Sequence, residues 1–129
     1  MIIEKASNKE LELLQNANFK HPEDVRASLE HGAITHILKR HGVNSVNVRN
    51  GESPITYQDI ANYRDIVKNA DETIKRDNRI ISYKQVNGHF VVVEQINRNK
   101  SEFIFKTMFK EKGDYKNAPD YKKNIKEND

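Results

Sequence analysis

Asn87-Gly88 is the feature that most restricts this chain. It lies between RIISYKQV and HFVVVEQI, two runs rich in β-branched and aromatic residues. An Asn-Gly pair so flanked is the strongest short-range hairpin signal, because both residues accept the left-handed backbone of a tight turn. With a two-residue turn, Val86 faces His89 and Tyr83 faces Val92. A second turn at Asn97–Lys100 leads into SEFIFKTMFK. Period-two alternation places Phe103, Phe105, Thr107 and Phe109 on one face, and Ile104, Lys106, Met108 and Lys110 on the other. Lys106 then leaves the strand on the face opposite Thr107 unless a bulge re-aims it. Both faces carry apolar residues, so helices are expected to pack on one side and partly cover the other.

The helices come first. Asn8–Asn18 reads as a short, weakly amphipathic helix. Pro22 suits a first helical position, with Glu23 and Asp24 in the first turn. That helix runs through Val25, Leu29, Ala33, Ile34, Ile37 and Leu38 to His41, with a break at His31–Gly32 as the alternative. Gly42 is placed to end it in the left-handed conformation. Val43–Val48 alternates weakly, as a short edge strand does, and Asn50-Gly51 is a turn. Thr56 and Asp59 form a capping box opening a helix with Ile60, Tyr63, Ile66 and Val67 as its apolar stripe. The order is α+β: N-terminal helices packed on a C-terminal antiparallel β-meander.

The chain has 129 residues, enough for one domain with a modest core. That domain is placed at residues 1–110, with an N-terminal helical extension. Residues 111–129 read as a charged tail, either solvated or a short surface helix, with Ile125 its one large aliphatic side chain. There is no cysteine, which excludes disulfides and thiolate metal sites. The opening residues are too charged for a signal peptide, and no apolar run is long enough to span a bilayer. Twenty-two basic against nineteen acidic side chains give a net charge of +3, compatible with nucleic acid without requiring it.

Chemistry concentrates in HGAITHILKRHG, residues 31–42, which holds His31, His36, Lys39, Arg40 and His41. His36 and His41 are separated by roughly 140° of helical rotation, near one another but on different faces. A zinc helix wants histidines four apart, and no nearby carboxylate completes a set, so no metal and no cofactor are assigned. Glu94 falls on an apolar strand face, where a catalytic or arginine-pairing carboxylate and a water-exposed edge residue are equal alternatives.

Taken together, the HG-terminated histidine helix, the IT-x-x-DI helix start, the ISYKQVNGHFVVVEQ hairpin and the FKTMFK strand form a sequence that resembles the barnase–EndoU–colicin–RelE-like nuclease superfamily. The resemblance is to its phage-type branch, over residues 31–110. It implies a helix-then-meander fold and metal-independent RNA cleavage on one face of the sheet. On that match His36 and His41 correspond to the histidine helix, and Thr107 to the polar residue of the last strand. Cleavage by the 2′-hydroxyl needs a base, an acid and positive charge on the phosphorane. His36 is the expected base, and His41, at a helix end that favours cations, the acid or clamp. Lys39 and Arg40 are expected to hold the phosphate, Thr107 to donate its hydroxyl hydrogen to a non-bridging oxygen, and Tyr83 to stack on a base. The reading is a toxin-type endoribonuclease leaving a 2′,3′-cyclic phosphate. Its expected partners are RNA, with tRNA a candidate, and an immunity protein or antitoxin; no membrane is involved, and the site of action is cytoplasmic. The alternatives are a non-catalytic RNA- or protein-binding module on the same fold, or an interaction domain of a phage structural or host-takeover protein.

Overall fold

The computed structural model describes residues 2–5, 26–28, 31–49, 52–97 and 102–127. The expected helix at Asn8–Asn18, the Pro22 helix start, the Asn50-Gly51 turn and most of the Asn97–Lys100 turn lie outside them.

The fold is α+β. Among the described residues its sheet has six strands: β1 (Ile2–Lys5), β2 (Arg26–Ser28), β3 (Glu72–Arg76), β4 (Arg79–Gln85), β5 (His89–Asn97) and β6 (Glu102–Glu111). They lie in the order β1-β2-β6-β5-β4-β3. All neighbouring pairs are antiparallel except β2 and β6, which run parallel. The helices are α1 (His31–His41), α2 (Val46–Arg49), α3 (Tyr57–Ala61), α4 (Tyr63–Lys68) and α5 (Pro119–Glu127), with a 3₁₀ turn at Tyr115–Asn117 before α5.

Several sequence expectations change. Arg26–Ser28 is a strand, and α1 starts only at His31. Ala27 and Ser28 are buried against Phe103 and Ile104 of β6, so pairing with a distant strand overrides the local helical pattern. Val43–Val48 is a turn followed by the one-turn helix α2. Gly42 ends α1 through close approach. Its φ is not positive, but a Cβ there would clash with the Leu38 carbonyl oxygen. The capping box is present, with Asp59 N–H donating to Thr56 Oγ1 at 3.2 Å and Thr56 N–H to Asp59 Oδ2 at 2.9 Å.

The hairpin forms with its register moved by one. Gln85 pairs with His89 and Tyr83 with Val91, so the loop is Val86–Gly88. Asn87 and Gly88 both have positive φ, 42° and 97°. Gly88 also lies where a Cβ would stand 2.5 Å from the Glu111 carbonyl oxygen. One residue of slip exchanges the faces of the partner strand, so Val91, and not Val92, shares a face with Tyr83.

A second irregularity lies in β6. Val93 pairs with Thr107 and Glu94 with Phe105, leaving Lys106 as the extra residue of a bulge. The single phenylalanine face read from alternation is therefore split. Phe105 packs with Met108, Ile37, Ile55, Ile60, Tyr63 and Val67 beneath the helices, while Phe109 packs on the opposite side with Tyr83, Val91, Tyr115 and Tyr121. The segment read as a tail contributes to this second core. Tyr115, Ala118 and Tyr121 are buried, and the rings of Tyr115 and Tyr121 contact Tyr83 at 5.4 and 5.3 Å.

Candidate active site

The two faces of the sheet are covered unequally. Helices α1, α3 and α4 close one face over Phe90, Val92, Phe105 and Met108. On the other, α5 and the 3₁₀ turn cover Ile81, Tyr83 and Val91. Beyond them Val93, Gln95, Ile104, Thr107, Phe109 and Glu111 are left half-buried along β5 and β6.

His41 stands at the rim of this half-open strip. It is the last residue of α1, and its carbonyl accepts from Ile55 N–H at 2.7 Å, which anchors the chain that follows. Ser53 bridges to Lys110 at the end of β6, bringing Glu52 beside the imidazole. His41 Nδ1–H donates to Glu52 Oε2 at 2.8 Å, with the side chains only 13% and 14% exposed. The imidazole lies 5.5 Å from the Phe109 ring, and Thr107 follows Phe109 on the same face. With Nδ1 engaged, Nε2 is the position left to exchange a proton.

A second pair lies across the same end of the sheet. His89 is buried, its Nδ1–H donating to the Gly113 carbonyl at 3.2 Å, with Nε2 3.6 Å from Glu111 Oε2. Burial raises the Glu111 pKa above the ordinary 4.5, opposed by the charge of His89. Asp120 and Glu52 add to the rise, and His41 opposes it. A carboxyl whose pKa is raised by burial beside an imidazole is a frequent feature of acid–base sites.

The other expected site residues fare differently. Lys39 and Arg40 are exposed in the last turn of α1. His36, one turn earlier, is exposed, and no contact joins it to His41 among the described residues. Thr107 lies on the strip, but its Oγ1 is shielded from solvent with no hydrogen-bond partner. Tyr83 shares that face yet is fully buried. Its hydroxyl donates to Asp120 Oδ2 and accepts from Asn124 Nδ2, both at 2.9 Å. It has no free ring face for a base and instead seats α5, with desolvation raising its phenol pKa. Glu94 resolves as the arginine partner: Oε2 accepts from Arg64 Nη1 at 2.8 Å beneath the helices.

A family model described as phage-Barnase-EndoU-ColicinE5/D-RelE like nuclease3 matches residues 4–118. The chain belongs to this nuclease family. No curated protein and no solved structure matches it. Nuclease activity follows from the family, and the His41–Glu52 and His89–Glu111 pairs lie within the segment it matches. Helix α5 begins just beyond that segment.

Glu52, His89 and Glu111 were not among the expected site residues. Glu111 is two positions past Phe109, so extending the alternation of β6 by one step reaches it. No local signal marks Glu52, which the Ser53–Lys110 bridge brings into place. Among the described residues no group of three His, Asp or Glu side chains is placed to hold a metal ion, and no helix is long and apolar enough to cross a membrane.

Proposed function

We propose that this nuclease cuts RNA without a metal, as a toxin-type endoribonuclease leaving a 2′,3′-cyclic phosphate. The observation that carries the proposal is the 2.8 Å His41–Glu52 pair at the edge of a half-open sheet face. In this reading Glu52 fixes the ring orientation of His41, and Nε2 transfers the proton. Glu111 is the complementary group. One of the two takes the 2′-hydroxyl proton and the other protonates the 5′-oxygen, so that one P–O bond forms as the other breaks. Lys39 and Arg40 supply positive charge to the phosphorane, Arg40 through its planar fork. His36, exposed on the same helix, is proposed to contact the strand beside them. Thr107 acts on the phosphate once its hydroxyl turns out of its present closed position.

RNA is the proposed substrate, tRNA included. A cytoplasmic site of action is proposed with that substrate, and an immunity protein or antitoxin is the proposed partner, expected over the α1 end. The test is incubation with total RNA in EDTA near neutral pH. Fragments ending in cyclic phosphate support the proposal. RNA that is bound in a salt-dependent way but left uncut favours a non-catalytic binding module instead.

A further inference from the structure

On the half-open face, at the end of the sheet away from His41, lies a cavity of about 550 Å³. Ile81 and Val93, paired side by side in β4 and β5, form its apolar floor. Its far wall is α5, contributing Lys123 and Asn124, and the β3–β4 turn closes the end. The wall is held in place: Arg76 Nη1 donates to Asn124 Oδ1 at 2.8 Å, and Asn124 donates to the Tyr83 hydroxyl at 2.9 Å. Of the two carboxylates present, Asp120 is engaged with that hydroxyl and Asp77 is exposed on the turn. Arg79 and Lys123 are exposed at the rim and form no ion pair among the described residues.

We propose that this cavity binds one nucleotide of the RNA strand, beyond the one being cut. The inference rests on the RNA reading above and adds a subsite to it. The volume falls within the roughly 300–1,000 Å³ of ordinary small-molecule sites. The aliphatic floor offers contact to the flat face of a base. The Gln95 amide beside it carries both donor and acceptor for a base edge. Arg79 and Lys123 supply the charge a phosphate requires. Val93 pairs with Thr107, and His89 pairs with Glu111 four residues back along β5. The cavity therefore lies roughly 13 Å of strand rise from the acid–base pairs, on the same face. That spacing places it beyond the scissile nucleotide. Because Lys123 and Asn124 lie past residue 118, the subsite combines the family's sheet with a helix outside the matched segment. It reads as a determinant of this chain's own sequence preference.

The four nucleoside 5′-monophosphates and inorganic phosphate are titrated into the full chain by calorimetry, for the parent and for the double variant Arg79→Ala/Lys123→Ala. At least one nucleotide is expected to bind more tightly than phosphate alone, and the variant to weaken it about tenfold or more. In cleavage, the variant is expected to lose about tenfold more kcat/KM on an octanucleotide than on a dinucleotide. Nucleotide binding that ignores the double substitution, or that is no tighter than phosphate, overturns the proposal. If no RNA is cut but nucleotide binding depends on Arg79 and Lys123, the catalytic reading fails and the subsite stands. If RNA is cut but nucleotides bind without regard to these residues, only the subsite fails.

Discussion

Arg64–Glu94 and His41–Glu52 are both closed at 2.8 Å, but they sit in different surroundings. Glu94 has no exposed side-chain surface and Arg64 only 7%, whereas His41 and Glu52 keep 13% and 14%. The first pair lies beneath α1, α3 and α4, in the layer that also holds the stacked Tyr63 and Phe105 rings, 4.0 Å apart. The second lies at the rim of the strip along β6. The two pairs share a contact length; what sets the proposed catalytic pair apart from the sealed one is its access to solvent. A sealed pair repays its desolvation only while both partners remain, and a rim pair can lose a partner at modest cost.

The largest difference between the pairs should appear in stability. Arg64→Ala removes the guanidinium that Glu94 Oε2 accepts from in a buried layer and is expected to cost about 3–5 kcal/mol, read from urea denaturation. Its activity per folded molecule should hold, and a selective loss of activity would erase the distinction between the pairs. Glu52→Gln works the other way. It weakens a charged hydrogen bond worth about 1.5–3 kcal/mol, and if that is felt in the transition state kcat falls roughly ten- to hundredfold. Thermal unfolding of this variant should move little. Tyr83→Phe removes the hydroxyl bridging Asp120 and Asn124 and is expected to lower stability by about 1 kcal/mol. Protease cleavage near α5 should become faster.

The smallest effect concerns Glu111. Its folded-state pKa is raised, with burial the main cause, so its contribution to stability is best at low pH. That contribution is lost as pH rises from the ordinary carboxylate value through the folded one. Glu111→Gln should therefore gain on the parent in Tm as pH rises above the ordinary carboxylate value of 4.5. A drift in the opposite direction would mean that the attraction of His89 outweighs burial.

The same contrast explains what the sequence made legible. Thr56 and Asp59 marked a helix start because a capping box is a local hydrogen-bond pattern, and Asn87-Gly88 marked the hairpin because backbone preference is local too. The one-residue register change was hidden, since the loop length depends on how Gly88 meets β6. So was the bulge at Lys106: FIFKTMF alternates evenly on paper, and only pairing with Val93 and Glu94 shows the extra residue. Arg26–Ser28 looked helical because its partner is more than seventy positions away. The C-terminal segment has only Ile125 as a large aliphatic residue, and its part in the second core comes from Tyr115 and Tyr121, whose partners lie on distant strands. Of the proposed site, His41 is readable from its helix end, whereas Glu52 and His89 come to it only through tertiary structure.

The account depends on His41 being the proton-transferring group, so the direct measurement is quantitation of 2′,3′-cyclic phosphate ends released from RNA by the purified chain in EDTA. The parent and His41→Gln are compared at equal folded concentration. The account predicts cyclic-phosphate product from the parent and a rate about 10²–10⁴-fold lower from the variant. Intact RNA with the parent, or equal rates from both proteins, would contradict it.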